Sequence, residues 1–159
     1  MGTAIARSLI IWVACIGVLV LSGCAATGER FSGLRPPSSG DAQIVLYRPD
    51  LFRAGGSSLK VYVDDRELGV LRNAGWLASR VDPGERSITI DQRFEFGKKT
   101  SMPIVAKAGE TAVIRVLPGG MTGVFVLPVA PVVTFGPWTM QQVTQEVAEA
   151  EMKDLKRSE

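Results

Sequence analysis

The sequence predicts an all-β fold, a small antiparallel β-sandwich or barrel of about seven or eight strands. A C-terminal amphipathic helix closes it, and a signal peptide and a flexible tether precede it. Three observations carry this reading. Apolar and polar residues alternate over Leu59, Val61 and Val63, and again from Ile88 to Phe96. Turn residues recur roughly every 8–12 positions through the body of the chain. A helical period emerges only beyond Trp138.

Composition sets the outer limits. The chain has 159 residues, 46% hydrophobic and 21% charged, which suits one globular domain and not a disordered polymer. Its net charge is +2, so no electrostatic drive toward nucleic acid exists. Histidine is absent, which excludes Ser-His-Asp and Cys-His nucleophile systems and imidazole zinc sites. The two cysteines are Cys15 and Cys24. Everything after Cys24 therefore lacks a disulfide, an iron–sulfur cluster or a thiolate metal site. No pattern of residues calls for a cofactor or a metal.

Residues 1–23 read as a signal peptide. Arg7 precedes an apolar or small run from Leu9 to Leu21. As a helix that run would span roughly 20 Å, short of the ~30 Å of a bilayer core. Leu21-Ser22-Gly23-Cys24 follows. It resembles the lipobox of bacterial lipoproteins, in which the cysteine thiol receives a diacylglycerol and becomes the first residue of the mature chain. The resemblance implies acylation at Cys24, including a fatty acid such as palmitate on its amine, and loss of Cys15 with the signal. Two or three acyl chains hold firmly where one binds only reversibly. Ala25, in place of Asp, implies sorting to the inner leaflet of the outer membrane, facing the periplasm.

Residues 24–40 comprise the acylated cysteine and a tether. They are rich in Gly, Ser, Pro and Ala and show no period, which predicts disorder. Such a chain would reach roughly 20–24 Å. Phe31 and Leu34 are its two large apolar residues, a weak argument for docking.

Residues 41–137 form the predicted β-domain. Gln43–Arg48 is a strand that Pro49 stops. Leu59, Val61 and Val63 line one face of the next, Asp64-Asp65-Arg66 turns, and Leu68–Leu71 returns as its hairpin partner. Asn73-Ala74-Gly75 turns again before a strand from Trp76 to Val81. In Asp82-Pro83-Gly84-Glu85, proline presets one central position and glycine supplies a positive φ. Ile88, Ile90, Gln92, Phe94 and Phe96 then share a face. Met102–Ala106 carries Pro103, which suits an edge strand, and Thr111–Leu117 is a further Val/Ile-rich strand.

From Val116 to Gln145 no residue is charged. Pro118, Pro128, Pro131 and Pro137, with four glycines, rule out a spanning helix there. The apolar stretch 124–135 must be covered by the domain's own sheets or by another chain. An edge strand or covering loop fits, and the segment is the expected route of self-association or of contact with an envelope partner. In 138–159, Met140, Val143, Val147 and Ala150 fall at helical spacing against Gln, Glu and Lys, which predicts a surface helix.

Tyr47-Arg48-Pro49, the hairpin Val61–Asp65 with Leu68–Leu71, Gly75-Trp76, Val81–Glu85 and Ala108–Thr111 occur in that order over residues 41–135. This order resembles a family of short bacterial lipoproteins carrying a domain of unknown function. The resemblance implies a compact β-sandwich, loosely akin to small carbohydrate-binding or regulatory β-domains, and an envelope location. It brings no catalytic residue with it. Where such families usually have Asp-Gly in the first hairpin, this chain has Asp64-Asp65.

Patterns that hint at chemistry are explained more simply by the fold. Ser57-Ser58-Leu59-Lys60 matches S-x-x-K, but Lys60 enters a strand, where positions three apart face opposite ways. Asp64-Asp65 as half a calcium site lacks the accompanying acidic run. Asp82, Glu85, Asp91 and Glu95 as a glycosidase-type pair read better as solvated strand charges, and Gly97-Lys98-Lys99-Thr100 lacks the first glycine of a phosphate loop. Tyr47, Arg48, Arg53 and Trp76 are the candidate ligand or partner contacts, weighed against Tyr47 and Trp76 simply filling the core. The expected function is a non-enzymatic interaction or structural module, lipid-anchored in the envelope. The alternative is a binder of a small ligand or glycan such as peptidoglycan or lipopolysaccharide.

Overall fold

Alternation along the chain becomes pairing between strands. A computed structural model describes residues 25–52, 54–92, 99–126 and 131–159, with backbone alone at Met121, 123–126 and 131–135. Its strands are β1 (Ala42–Arg48), β2 (Leu59–Val63), β3 (Arg66–Leu71), β4 (Gly75–Val81), β5 (Gly84–Gln92) and β6 (Lys99–Ala106). They continue with β7 (Thr111–Leu117), β8 (Met121–Val126), β9 (Pro131–Phe135), β10 (Thr139–Val143) and β11 (Lys156–Arg157). One helix, α1 (Gln145–Met152), lies between β10 and β11. Nine strands make two sheets, in the orders β10-β7-β1-β4-β11 and β3-β2-β5-β6, and β8 and β9 pair as a separate ribbon.

The sheets meet face to face. Ile44, Leu46, Leu77, Ile114 and Val116 of the first sheet pack with Leu59, Val61, Val63, Leu71, Ile88, Ile90 and Ile104 of the second. Burying one such side chain is worth about 1.5–3 kcal/mol, so this layer dominates the stability. Ile88, Ile90 and Gln92 are all buried on one face of β5, as period two requires, whereas Phe94, Glu95 and Phe96 lie outside the described residues. The run Ile44–Tyr47 does not alternate because β1 is the central strand and is covered on both faces. β6 is an edge strand, as Pro103 implies.

The turns follow their residues. Asp64 and Asp65 both take positive φ, 49° and 63°, the pair of left-handed conformations that a two-residue hairpin turn needs. Asp64 locks the turn further by accepting from Ser87 N at 2.9 Å and pairing with Arg86 at 3.1 Å. Gly84 supplies the expected positive φ, at 132°.

The all-β sandwich stands, but three expectations are corrected. First, the sheets are not wholly antiparallel. β1 pairs parallel to β7, because the chain crosses to the second sheet and back twice between them, through β2–β3 and through β5–β6, and β11 pairs parallel to β4.

Second, the start of the segment 24–40 is not a free tether. Ala25 bridges Asn73, Ala26 N donates to Asn73 O at 3.0 Å, and Ala26 is 4% exposed. Gly28 N donates to Arg157 O, Phe31 N to Leu155 O, and Arg157 N to Glu29 O. Phe31 and Leu34 pack against the outer face of the five-stranded sheet. Cys24 and the signal region lie outside the described residues.

Third, 138–159 is mostly not helix. Trp138 is buried between the sheets, Thr139–Val143 pairs antiparallel with β7, and only Gln145–Met152 is helical. Thr144 caps α1, accepting from Val147 N. The helix buries Ala148 and Met152, four apart, together with Leu155, against Val45, Tyr47 and Val113. Val147 and Ala150 are exposed instead. The β-domain thus extends past residue 137, to Arg157.

Within the segment 124–135, residues 124–126 and 131–135 belong to the two-stranded ribbon, each strand with one free edge, as the edge-strand expectation has it. Thr139 pairs with Leu117, Gly136 N donates to Gly120 O at 2.7 Å, and Met121 pairs with Phe135. The β7–β10 ladder therefore continues, past an interruption at Pro118 and Pro137, into the ribbon β8–β9.

Candidate functional site

The outer face of the five-stranded sheet carries a groove lined by Trp76. The turn Asn73-Ala74-Gly75 aims β4, with Ala74 held at φ 51°. At Gly75 three segments converge. A Cβ there would overlap Ser158 Oγ and lie 2.9 Å from Ala26 Cβ and 3.0 Å from Arg72 O. Only glycine lets the N-terminal segment and the chain after α1 close over this corner.

Trp76 is half-buried. Phe31 meets it edge-on at 5.9 Å and 79°, and the Arg157 guanidinium lies 5.5 Å from its ring centroid. A cavity of about 190 Å³ opens beside them, with Leu34, Arg35, Gln43 and Val45 among its walls. A neighbouring depression shares Arg35, Trp76 and Arg157 and adds Arg80. Trp76 Nε1 is shielded from solvent and has no hydrogen-bond partner among the described residues. An aromatic floor with a guanidinium rim can stack a flat or ring-shaped group and neutralise an anionic one.

The other candidates do not join this groove. Tyr47 is fully buried and donates to Glu151 Oε2 at 2.6 Å. Burial first, and then the bond to Glu151, raise its hydroxyl well above the ordinary tyrosine range. Arg115 Nη1 donates to the other Glu151 oxygen at 2.7 Å and its Nη2 to Gln141, so the three side chains tie α1 to the sheet. Arg48 is fully buried too, donating to Ser57 O at 2.7 Å and Ala54 O at 2.5 Å. Burial pushes its guanidinium down to about 10, with Asp50 opposing, so it stays charged at neutral pH. Both are structural side chains, as the core reading of Tyr47 anticipates. Arg53 and Cys24 lie outside the described residues.

The weaker motifs also resolve. Lys60 pairs with Glu67 at 3.1 Å across the β2–β3 hairpin. Asp91 and Asp82 stand at opposite ends of β5, and Asp91 pairs with Lys99 at 3.9 Å. Among the described residues no three metal-ligating side chains cluster, and no helix is long and apolar enough to cross a membrane. The groove's Arg35 and Arg157 had no local signal, and the apolar Phe31 hinted only at docking, because what brings the segment and the C-terminal strand to Trp76 is pairing across the chain.

Fold and surface together define a small β-sandwich with one sheet face overlaid by a helix and an N-terminal segment. The chain belongs to the family described as protein of unknown function (DUF2846), whose model matches residues 38–120. The match spans β1 to β7 and stops where the ladder passes into the ribbon, fifteen residues short of the expected boundary at 135. No curated protein matches the chain, and no solved structure does.

Proposed function

We propose that this chain is a lipid-anchored module of the bacterial cell envelope, acting by binding and not by catalysis. It is acylated at Cys24 and held at the inner leaflet of the outer membrane, facing the periplasm. The observation that carries the reading is Leu21-Ser22-Gly23-Cys24 at the end of the apolar run from Leu9. The fold is consistent with it, because Ala26, two residues after the cysteine, is already packed against the domain. Acyl chains on Cys24 would hold the domain against the lipid surface with little slack. Mass spectrometry of the membrane-purified protein tests this. The mature chain is expected to begin at Cys24 with added lipid mass, and Cys24→Ser is expected to accumulate as precursor. A mature chain starting elsewhere without lipid overturns it.

A second reading rests on the Trp76 groove. Its Trp76, with Phe31 edge-on and the Arg157 guanidinium over the ring, and its neighbouring Arg35 and Arg80 suit a small ligand or glycan of the envelope, from peptidoglycan or lipopolysaccharide. Titration with soluble peptidoglycan fragments, followed by Trp fluorescence, separates the two. Saturable quenching that Arg157→Ala weakens supports a binder, and no response leaves the groove as packing.

A further inference from the structure

We propose that one end of the sandwich is a lipid-facing surface, on which the β8–β9 ribbon and Phe52 rest against the bilayer beside the Cys24 anchor. The inference rests on the anchored reading above and adds an orientation to it.

Strand register places these parts together. Arg48, the last residue of β1, pairs with Gly75, the first of β4, and Lys156 pairs with the same Gly75. Ala25 bridges Asn73, two residues before Gly75, so the described chain begins at this end. The loop after Arg48 carries Phe52 here, and Leu51 N donates to Asn73 Oδ1 at 3.3 Å. Phe52 is 105% exposed, the most exposed large apolar side chain among the described residues. β7 runs parallel to β1, so its C-terminal Leu117 lies at this end as well. From there the ladder continues into β8–β9.

The ribbon pairs with itself, and among the described residues it has no comparably extensive contact with another element. From Met121 to Val126 it extends roughly 17 Å at ~3.3 Å per residue. Residues 116–145 carry no charge, so the ribbon brings no ionised side chain to an apolar medium. Each strand of a two-stranded ribbon keeps its outward N–H and C=O groups unpaired, so its edges need water or lipid headgroups, which suits an interfacial position and not a full crossing.

The order β10-β7-β1-β4-β11 spaces the three parts across the sheet end. The ribbon leaves from β7 and β10, Phe52 from the central strand β1, and the anchor from beside β4 and β11. At ~4.8 Å between strands, the ribbon and anchor stand roughly 14 Å apart. A lipid at one point lets a domain swivel, whereas three separated contacts hold it in one orientation. The apolar ring of Phe52 suits burial at the boundary of headgroups and acyl chains. The Trp76 groove begins one residue from that end and runs along the sheet face toward Ala78, so in that orientation it opens beside the lipid surface. The competing occupants of the ribbon are a second copy of the chain and an envelope protein.

The test uses full-length protein, processed in cells, purified in detergent and returned to vesicles of phosphatidylethanolamine and phosphatidylglycerol. Single thiols are introduced as Phe52→Cys, Val126→Cys and, at the opposite end, Asp82→Cys, and labelled with an environment-sensitive fluorophore. Labels at 52 and 126 are expected to shift to the blue and to be quenched severalfold more than that at 82 by lipids brominated along the acyl chain. Equal, water-like emission at all three positions overturns the proposal. A blue shift at 126 without bromolipid quenching also overturns it, because protein then covers the ribbon. Labelling of Cys24 in the parent protein reports the anchor separately. A reactive Cys24 means it carries no thioether lipid, and the anchored reading fails whatever the labels show.

Discussion

The Arg48 guanidinium lies 4.5 Å from the centroid of the Trp138 ring, ninety residues along the chain, with both side chains buried. The cation also donates to two carbonyls of the loop that follows β1, at Ser57 and Ala54. One side chain therefore holds the loop bearing Phe52 against the root of the ribbon.

Arg48→Lys is expected to destabilise the mature protein by about 1–3 kcal/mol, since an ammonium does not fork to two carbonyls or stack flat on an indole. Arg48→Ala is expected to cost about 3–5 kcal/mol, with two carbonyls abandoned and a cavity left. Urea unfolding measures both. Lysine as stable as arginine would show that charge alone matters here.

Tyr47→Phe removes the bond to the Glu151 carboxylate and is expected to cost about 1.5–3 kcal/mol. It also changes the alkaline limb of the stability curve. The folded state holds the Tyr47 proton more tightly than the ordinary value of 10.0 implies. Below that value both states are protonated and the contribution is complete. Above it the unfolded state ionises first, and the contribution falls with rising pH. The parent protein should therefore lose more stability above pH 10 than Tyr47→Phe does. Parallel curves for the two would disprove the coupling.

Asp65→Gly is expected to stabilise the fold by about 0.5–1 kcal/mol. Asp65 holds φ at 63°, which glycine adopts without a Cβ penalty. Asp64→Gly should not help, because it also discards the bonds to Ser87 and Arg86. Thermal melts of the two variants should move in opposite directions.

Gly75→Ala is expected to loosen the corner where Ala26, Arg72 and Ser158 meet. Hydrogen exchange should quicken at Ala26, Gly28, Phe31 and Ser158, whose amides bond across it, before it quickens in β5. Unchanged exchange at those amides would mean the segment is held elsewhere.

The sequence by itself determined what depends on neighbours along the chain. Period two marks Leu59, Val61 and Val63 because alternate side chains of any strand face one way. Asp64-Asp65 and Pro83-Gly84 mark turns because their backbone preferences act over two or three residues. Thr111–Leu117 reads as a strand with the bounds the structure shows. The choice between core and surface for Tyr47 was open in the sequence, since a buried tyrosine needs a partner and Glu151 is far along the chain. Tertiary structure alone made 25–34 a docked segment, because its amides bond to Asn73, Leu155 and Arg157, and composition carries no trace of such partners. It also turned 139–143 into a strand. Met140 and Val143 fit a helical period, but β7 had an unpaired edge, and the ladder it offered outweighed a short helix's weak propensity.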